Sequence, residues 1–272
     1  MAPRKAGTTM TDGLSAADLR ADVPHSARIW NYWLGGKDNF AADRAVGDQV
    51  KQVYPDVVNV AVASRAFLGR VVRFLAGEAG IRQFLDLGTG LPSADNTHEV
   101  AQSVAPASKI VYVDNDPLVL VHARALLQSS THGATDYVDA DVHDPAKILQ
   151  AAAKTLDFTR PIAVMMLGIL GNVADDDQPG PAEIVRHFVD AVPSGSYLVV
   201  NDSVITAETA EAVRTARSGG ADYHLRTPEQ MRGFFDGLEV VEPGVVSTPL
   251  WRPEPGTTPE SLVVYCGVGR KP

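Results

Sequence analysis

Ile81-Arg82-Gln83-Phe84-Leu85-Asp86-Leu87-Gly88-Thr89-Gly90 is the stretch whose reading decides the fold. Its first half is an apolar run of strand length and its second half a glycine-rich turn. A helix is expected to follow, beginning near Ala94. A strand that leads through a glycine turn into a helix opens an α/β unit, and a turn without Cβ atoms lets a ligand approach the backbone. The turn departs from the dinucleotide fingerprint G-x-G-x-x-G. The run is Gly88-Thr89-Gly90-Leu91-Pro92-Ser93, so the third glycine is absent. Asp86 adds a carboxylate two residues before the first glycine. An acid beside two glycines suits a ligand with a positive amino group and a ribose better than one with a pyrophosphate, and S-adenosylmethionine is such a ligand.

Two more acids strengthen this reading. Lys109 to Val113 predicts a second strand ending at Asp114, 24 residues after Gly90. That is close to the spacing at which open α/β sheets place an acid on a ribose. A carboxylate only accepts hydrogen bonds, so it can take both ribose hydroxyls. Asp116-Pro117 then starts a helix as N-cap and first helical residue, continued at helical spacing by Leu120, Ala123 and Leu127. Asp136 to Ala140 predicts a third strand running into Asp141-Val142, where the acid can accept from an adenine amine and the next backbone N–H can serve a ring nitrogen. Any one of these acids taken alone reads better as a helix cap or a solvated loop charge. Three at consecutive strand ends converge on the edge where parallel sheets bind ligands.

The chain has 272 residues and is 45% hydrophobic, enough for one full core. Its 33 acids outnumber 24 bases, a net charge of −9 that argues against nonspecific nucleic-acid binding. The single cysteine, Cys266, sits in an apolar run and excludes an internal disulfide framework. No apolar stretch is long enough for a membrane span, and the start lacks the apolar segment of a secretory signal. A cytoplasmic protein, without a membrane or nucleic-acid partner, is expected.

Residues 1–20 are polar and are expected to be a disordered tail; 21–76 are expected to form an N-terminal helical cap, and 77–272 the ligand-binding domain. In the cap, Pro24 to Phe40 interleaves Trp30, Tyr32, Trp33 and Phe40 with polar groups around a Gly35-Gly36 turn. A helix over 59–75 presents Val60, Ala63, Phe67, Val71 and Phe74 on one face. Pro161 to Leu167 and Tyr197 to Val200 predict the fourth and fifth strands. Leu238 to Val246 and Ser261 to Val268 predict a terminal antiparallel pair. The expected fold is α/β: a Rossmann-like, doubly wound, seven-stranded sheet with an antiparallel last strand, plus the helical cap.

The glycine turn, the two later acids and the terminal hairpin together resemble class I S-adenosylmethionine-dependent methyltransferases. The match is nearer still to an actinobacterial S-adenosyl methyltransferase family, formerly a domain of unknown function. It is carried by Pro24-His25-Ser26-Ala27-Arg28, Leu34-Gly35-Gly36-Lys37-Asp38-Asn39-Phe40, Phe84 to Pro92, Val111 to Pro117, Phe234 to Leu238 and Trp251-Arg252-Pro253. The resemblance spans roughly residues 22–270. It implies methyl transfer from S-adenosylmethionine, with S-adenosylhomocysteine as product, to a small-molecule acceptor. Cofactor contacts are then expected from Asp86, Gly88, Thr89, Gly90, Asp114, Asn115, Asp141, Val142 and Leu167, and a monomer or homodimer is expected. Two places depart from the family pattern. Leu170-Gly171-Asn172-Val173 stands where the family often has Leu-His-Phe-Val, and Asn201-Asp202 where it often has Ser-His.

An acceptor that must lose a proton needs a base. His25, Asp202 and His224 are the candidates; His25 reads equally as a helix cap. Arg28, Tyr32, Lys37, Asn39 and Phe40 are candidate acceptor contacts, with salt bridges and cap packing as the alternative uses. Asp175-Asp176-Asp177 reads as a solvated loop, and no metal is expected. Two rival functions remain open: a module that binds the adenosyl cofactor without turnover, and a nicotinamide-dependent oxidoreductase.

Overall fold

The computed structural model describes residues 19–93, 95–126 and 132–272. Ala94, Leu127 and residues 1–18 of the expected tail lie outside them. Leu19, at the end of that tail, is buried against Leu91, Leu118 and Val119.

Five strands run parallel: β1 (Gln83–Leu87), β2 (Lys109–Asp114), β3 (Ala134–Asp139), β4 (Ala163–Leu167) and β5 (Tyr197–Ser203). β6 (Glu239–Val240), β7 (Val246–Ser247) and β8 (Val264–Arg270) complete the sheet. Its order is β3-β2-β1-β4-β5-β8-β6, with β7 also on β8, and β8 runs antiparallel to its neighbours. The strand expected over Leu238 to Val246 is thus two short pieces, giving eight strands rather than seven. Val241 N still donates to Val268 O (2.8 Å), but Pro243 has no N–H to offer, and Gly244 N turns back to Val241 O (2.9 Å). Both pieces share one edge, so the antiparallel strand is the expected one.

Alternation along each strand builds two cores. Leu85, Leu87, Val111, Val113, Val164 and Met166 face one side, covered by α6 (Pro145–Ala152), α7 (Pro181–Ala191) and α9 (Pro228–Gly233). Phe84, Ile110, Met165 and Val199 face the other, covered by α3 (Val57–Gly77) and α4 (Thr97–Val104). Trp251 is fully buried there, edge-on to Phe67 (5.4 Å) and Phe74 (5.8 Å). α4 starts at Thr97, later than expected, because Asn96 and Glu99 form its N-terminal capping box.

The N-terminal region adds α1 (Ser26–Trp33) and α2 (Ala41–Val53). Ile29, Val46, Val50, Val57 and Val60 pack with Ala212 of α8 (Ala207–Ser218) and with Val264 of β8. α3 therefore serves two cores: its first turns belong to the cap, and Phe67 to Ala76 belong to the sheet. A boundary at 76/77 does not separate packing units, because Leu75 and Ala76 are core residues of the sheet.

A buried ion cluster ties the cap to the sheet. Arg28 Nε lies 3.5 Å from Asp43 Oδ1 and 3.3 Å from Asp116 Oδ2, and these side chains are 2%, 0% and 1% exposed. The guanidinium also donates to Leu19 O (3.1 Å) and Val23 O (2.8 Å). Asp43 accepts from His25 N (2.9 Å) and Phe40 N (2.8 Å), so one carboxylate fixes the starts of both α1 and α2. Arg28→Met leaves two buried carboxylates without their cation. The expected loss is about 3–5 kcal/mol of folding stability, read from the denaturant midpoint at pH 7; a loss near zero would show that the cluster does not join the two parts.

Candidate cofactor and acceptor site

The carboxyl ends of the parallel strands open into a cleft of about 1370 Å³, part of it at the open mouth, roofed by α1 and flanked by α3. Every residue expected to hold the cofactor lines it: Asp86, Gly88, Thr89, Gly90, Asp114, Asn115, Asp141, Val142 and Leu167. They arrive from four different strands because the crossovers return each βα turn to the same edge.

The glycine turn is held by its neighbour strand: Gly88 N donates to Val113 O (2.8 Å) and Thr89 Oγ1 to Asp86 O (3.1 Å). Gly88 has φ +71°, and a Cβ there would come within 2.6 Å of Ile169. Only glycine meets both demands. Asp86 is buried beneath the turn and accepts from Thr97 Oγ1 (2.6 Å). Burial pushes its carboxyl up to about 6, against the pull of the Thr97 hydroxyl and the Arg65 charge.

Asp114 accepts from Gly90 N (2.7 Å) through one oxygen and from Asp116 N (3.0 Å) through the other. Burial raises its pKa above the usual carboxylate range despite those two donors. Each oxygen keeps a second lone pair for a ligand hydroxyl. Asp141 accepts from Asn115 Nδ2 (3.0 Å), His143 N (2.9 Å) and the His143 ring (2.5 Å). Partial burial would raise its pKa, but the His143 and Asn115 contacts outweigh it and hold Asp141 low.

The acceptor-side expectations fare differently. His25 does line the cleft, as N-cap of α1, with Nδ1 3.3 Å from Ala27 N and 3.1 Å from Asp116 Oδ2. Arg28 does not, since it is consumed by the buried ion cluster. Tyr32 turns away to Asp48 (2.6 Å), and Lys37 is exposed outside the cleft lining. Asn39 is spent on Asn31 Oδ1 (2.9 Å) and Gly36 O (3.0 Å). Phe40 stacks under Arg28 (5.2 Å) beside Leu19, Leu91 and Leu118. The Gly35-Gly36 turn therefore carries Lys37 to Phe40 past the cleft, and α1 itself forms the roof through Ser26, Ala27, Trp30, Asn31 and Leu34.

Asp202 and His224 stand behind the cleft wall rather than on it. Asp202 is 3% exposed and accepts from the Tyr223 hydroxyl; its Oδ2 has no hydrogen-bonding partner. The Tyr223 ring lies where a Cβ on Gly171 would be, so the missing side chain at 171 makes its room. His224 N donates to Gly171 O (2.7 Å) and its ring lies 3.6 Å from Asp222. In the acidic loop, Asp175 pairs with Arg226 (3.1 Å) and Asp177 with His143 (3.2 Å).

Asn172 and Asn201, at the two departures from the family pattern, line the cleft, and sequence reasoning missed Ser64 and Arg65 of α3 and Ser93. Arg65 is half-buried near Asp86 and donates to Asn96 Oδ1 (3.0 Å). Ser64 Oγ and Ser93 Oγ are buried without a hydrogen-bonding partner. The available signal was a Ser-Arg pair one turn before Leu68, with Arg65 on the face opposite the apolar stripe.

The S-adenosyl methyltransferase family model matches residues 12–272, and the chain belongs to that family. Two solved structures are similar throughout. A DUF574 family protein from Streptomyces avermitilis MA-4680 is 42% identical, with a TM-score of 0.88 over 93% of this chain and 100% of that one. A Thermobifida fusca YX protein, provisionally described as a methyltransferase, is 44% identical, with a TM-score of 0.85 over 92% of this chain and 95% of that one. No curated protein matches the chain. Among the described residues no helix is long and apolar enough to cross a membrane.

The Asp202 environment carries a pH signature. Burial lifts its carboxyl from 3.8 to about 6, with the Tyr223 hydroxyl and Arg226 only partly offsetting this. Between those values the folded chain holds a proton that the unfolded chain has released, so this group's contribution to stability falls as pH rises from about 4 to 6. Asp202→Asn removes that dependence while its carbonyl can still accept from Tyr223. The stability of the variant relative to the parent should rise across this window by on the order of 1–3 kcal/mol and then level off. Denaturation midpoints measured from pH 4 to 8 check it; two parallel profiles would refute the assignment.

Proposed function

We propose that this chain transfers the methyl group of S-adenosylmethionine to a small-molecule acceptor by in-line displacement, with the cofactor in the strand-end cleft and the acceptor entering beneath α1. The cofactor supplies the electrophilic methyl group. The observation that carries this reading is the convergence of Asp86, Asp114, Asp141 and the Gly88–Gly90 turn on one cleft. The chemistry of the donor set fits the group. Asp114 offers acceptor lone pairs to two ribose hydroxyls. Asp141 and the Val142 backbone suit an adenine edge. Asp86 and Arg65 give opposite charges near the turn, matching the ammonium and carboxylate of the amino-acid end. The orphaned hydroxyls of Ser64 and Ser93 await partners there.

The chain's own work in such a transfer is positioning and exclusion of water. α1 roofs the cleft, so the acceptor is held between Trp30, Leu34 and the wall made by Ile169, Asn172 and Asn201. His25 is the candidate base that borders the cleft, and it would take a proton from an acceptor that must lose one. Asp202 and His224 would act only through Tyr223 or the backbone, as positioning residues. A cytoplasmic location fits a metabolite substrate.

Calorimetric titration with S-adenosylhomocysteine and with 5′-methylthioadenosine, which lacks the amino-acid end, tests the placement. Asp114→Ala should weaken both ligands about 10- to 150-fold, the value of a charge-assisted hydrogen-bond pair. Arg65→Met should weaken S-adenosylhomocysteine by a similar factor and leave 5′-methylthioadenosine unchanged. Equal losses for both ligands in Arg65→Met would move the amino-acid end elsewhere. Failure of the parent chain to bind S-adenosylhomocysteine would overturn the proposal.

A further inference from the structure

His143 borders the cofactor cleft and makes contacts that the cofactor placement leaves unused. It sits in the turn between β3 and α6, two residues after Asp141. Its Nδ1 lies 2.5 Å from Asp141 Oδ1, and its Nε2 lies 3.2 Å from Asp177 Oδ2. Asp177 comes 34 residues later, from the acidic loop before α7, and the same Oδ2 accepts from Ala174 N (2.8 Å). One imidazole therefore ties the adenine edge of the cleft to a loop residue that does not itself line it. An ionised carboxylate only accepts hydrogen bonds, so each of the two ring contacts needs an N–H, and both together need the imidazolium. Partial burial pulls the His143 pKa down, but the two carboxylates outweigh it and hold it above the ordinary imidazole value.

This bridge decides which lone pairs of Asp141 stay open. Oδ1 takes two donors, His143 N (2.9 Å) and the ring Nδ1. Oδ2 takes one, Asn115 Nδ2 (3.0 Å). A carboxylate has about four acceptor positions, so the open one is on Oδ2. The Asp141 side chain is 51% exposed and lines the cleft, so a ligand can reach it. Exposure has a second effect: without a brace, the carboxylate would turn between rotamers and give its oxygens to water.

We propose that His143 is a positioning residue that sets purine selectivity: held between Asp177 and Asp141, it fixes the Asp141 carboxylate so that its one open position accepts the 6-amino group of adenine and rejects a 6-oxo purine. A 6-oxo group brings a lone pair rather than a proton to that position, and two acceptors facing each other repel. Selectivity then belongs to a chain of three side chains, Asp177, His143 and Asp141, of which only the last touches the purine amine. Asn115 closes the remaining side of the carboxylate and needs no charge to do so. This inference rests on the cofactor placement proposed above.

The test compares S-adenosylhomocysteine with S-inosylhomocysteine, its 6-oxo counterpart, by calorimetric titration of the full chain at pH 7. The two ligands share ribose and amino-acid ends, so the ratio of their affinities reports on the purine edge alone. The parent should prefer S-adenosylhomocysteine by about 10- to 150-fold, the effect of one charge-assisted hydrogen bond. His143→Ala should cut that ratio at least about fivefold, chiefly by weakening S-adenosylhomocysteine. Asp177→Ala should cut it by a smaller factor, and should cut it no further in the His143→Ala background, because it acts through the imidazole. Both side chains are partly exposed, so their truncation leaves the core intact. NMR of the chain labelled at histidine should show both His143 ring nitrogens protonated at pH 7; a singly protonated ring overturns the bridge. An unchanged ratio in His143→Ala, or equal weakening of both ligands, overturns the selectivity role while the methyl-donor reading stands. Independent, additive effects of the two substitutions overturn the chain through Asp177. Equal affinities in the parent take the adenine amine away from Asp141 and the inference with it. Failure of the parent to bind S-adenosylhomocysteine at all overturns the methyl-donor reading and this inference together.

Discussion

Arg28, Asp43 and Asp116 form the contact on which the site depends. Asp116 opens α5 (Pro117–Leu126) two residues after Asp114, so it sits at the strand edge where the ligand is expected. Asp43 belongs to the second cap helix and fixes the first turns of both α1 and α2. Arg28 joins them from within α1. Three charges buried this deeply are stable only together, because removing one strands the others in a medium that cannot solvate them. The cluster thereby sets the position of α1, and α1 is the roof of the cleft. A hydrophobic contact of equal area could slide; fixed ion-pair geometry restrains the roof's position. The same burial raises the Asp114 carboxyl, so the ligand edge and the cap anchor are one electrostatic unit.

Much of this fold was legible because its signals are local. Apolar runs of strand length, each closed by an acid or a glycine, gave the parallel strands and their common edge. The residues at those strand ends came with them. What escaped was non-local. Arg28 reads either as an acceptor contact or as a salt-bridge partner; only folding reveals the carboxylates 15 and 88 residues later that absorb it. The choice between the two uses of Asn39 and Phe40 was hidden for the same reason, since their partners lie in the cap itself and in α5. Arg65 was hidden by its own helix, where the long apolar stripe drew attention to the opposite face. The divided β6 and β7 edge follows from Pro243, whose missing N–H was visible in the sequence but whose placement within a strand was not.

The two departures from the family pattern turn out to be one structural feature. Gly171 and Asp202 come from different strand ends, yet both touch Tyr223: one gives its ring space and the other accepts its hydroxyl. Replacing either alone conflicts with the tyrosine. A side chain at 171 collides with the ring, and an apolar residue at 202 leaves a buried phenol without its acceptor. Gly171, Asp202 and Tyr223 therefore form a set in which each choice makes sense only with the other two. The arrangement holds the Asp202 carboxylate behind the cleft wall, under the Tyr223 ring.

Tyr223 lines an apolar cavity behind α1. The molecule thus divides its chemistry across one helix. Toward the strand ends α1 faces carboxylates, glycines and unpaired hydroxyls, an environment for a polar and charged cofactor. Toward α8 it faces valines, alanines and tryptophan, an apolar environment. Ser26 and Trp30 belong to both sides. The ion cluster at Arg28 fixes the helix that separates these two environments, so a contact remote from the glycine turn sets the position of the cleft's roof.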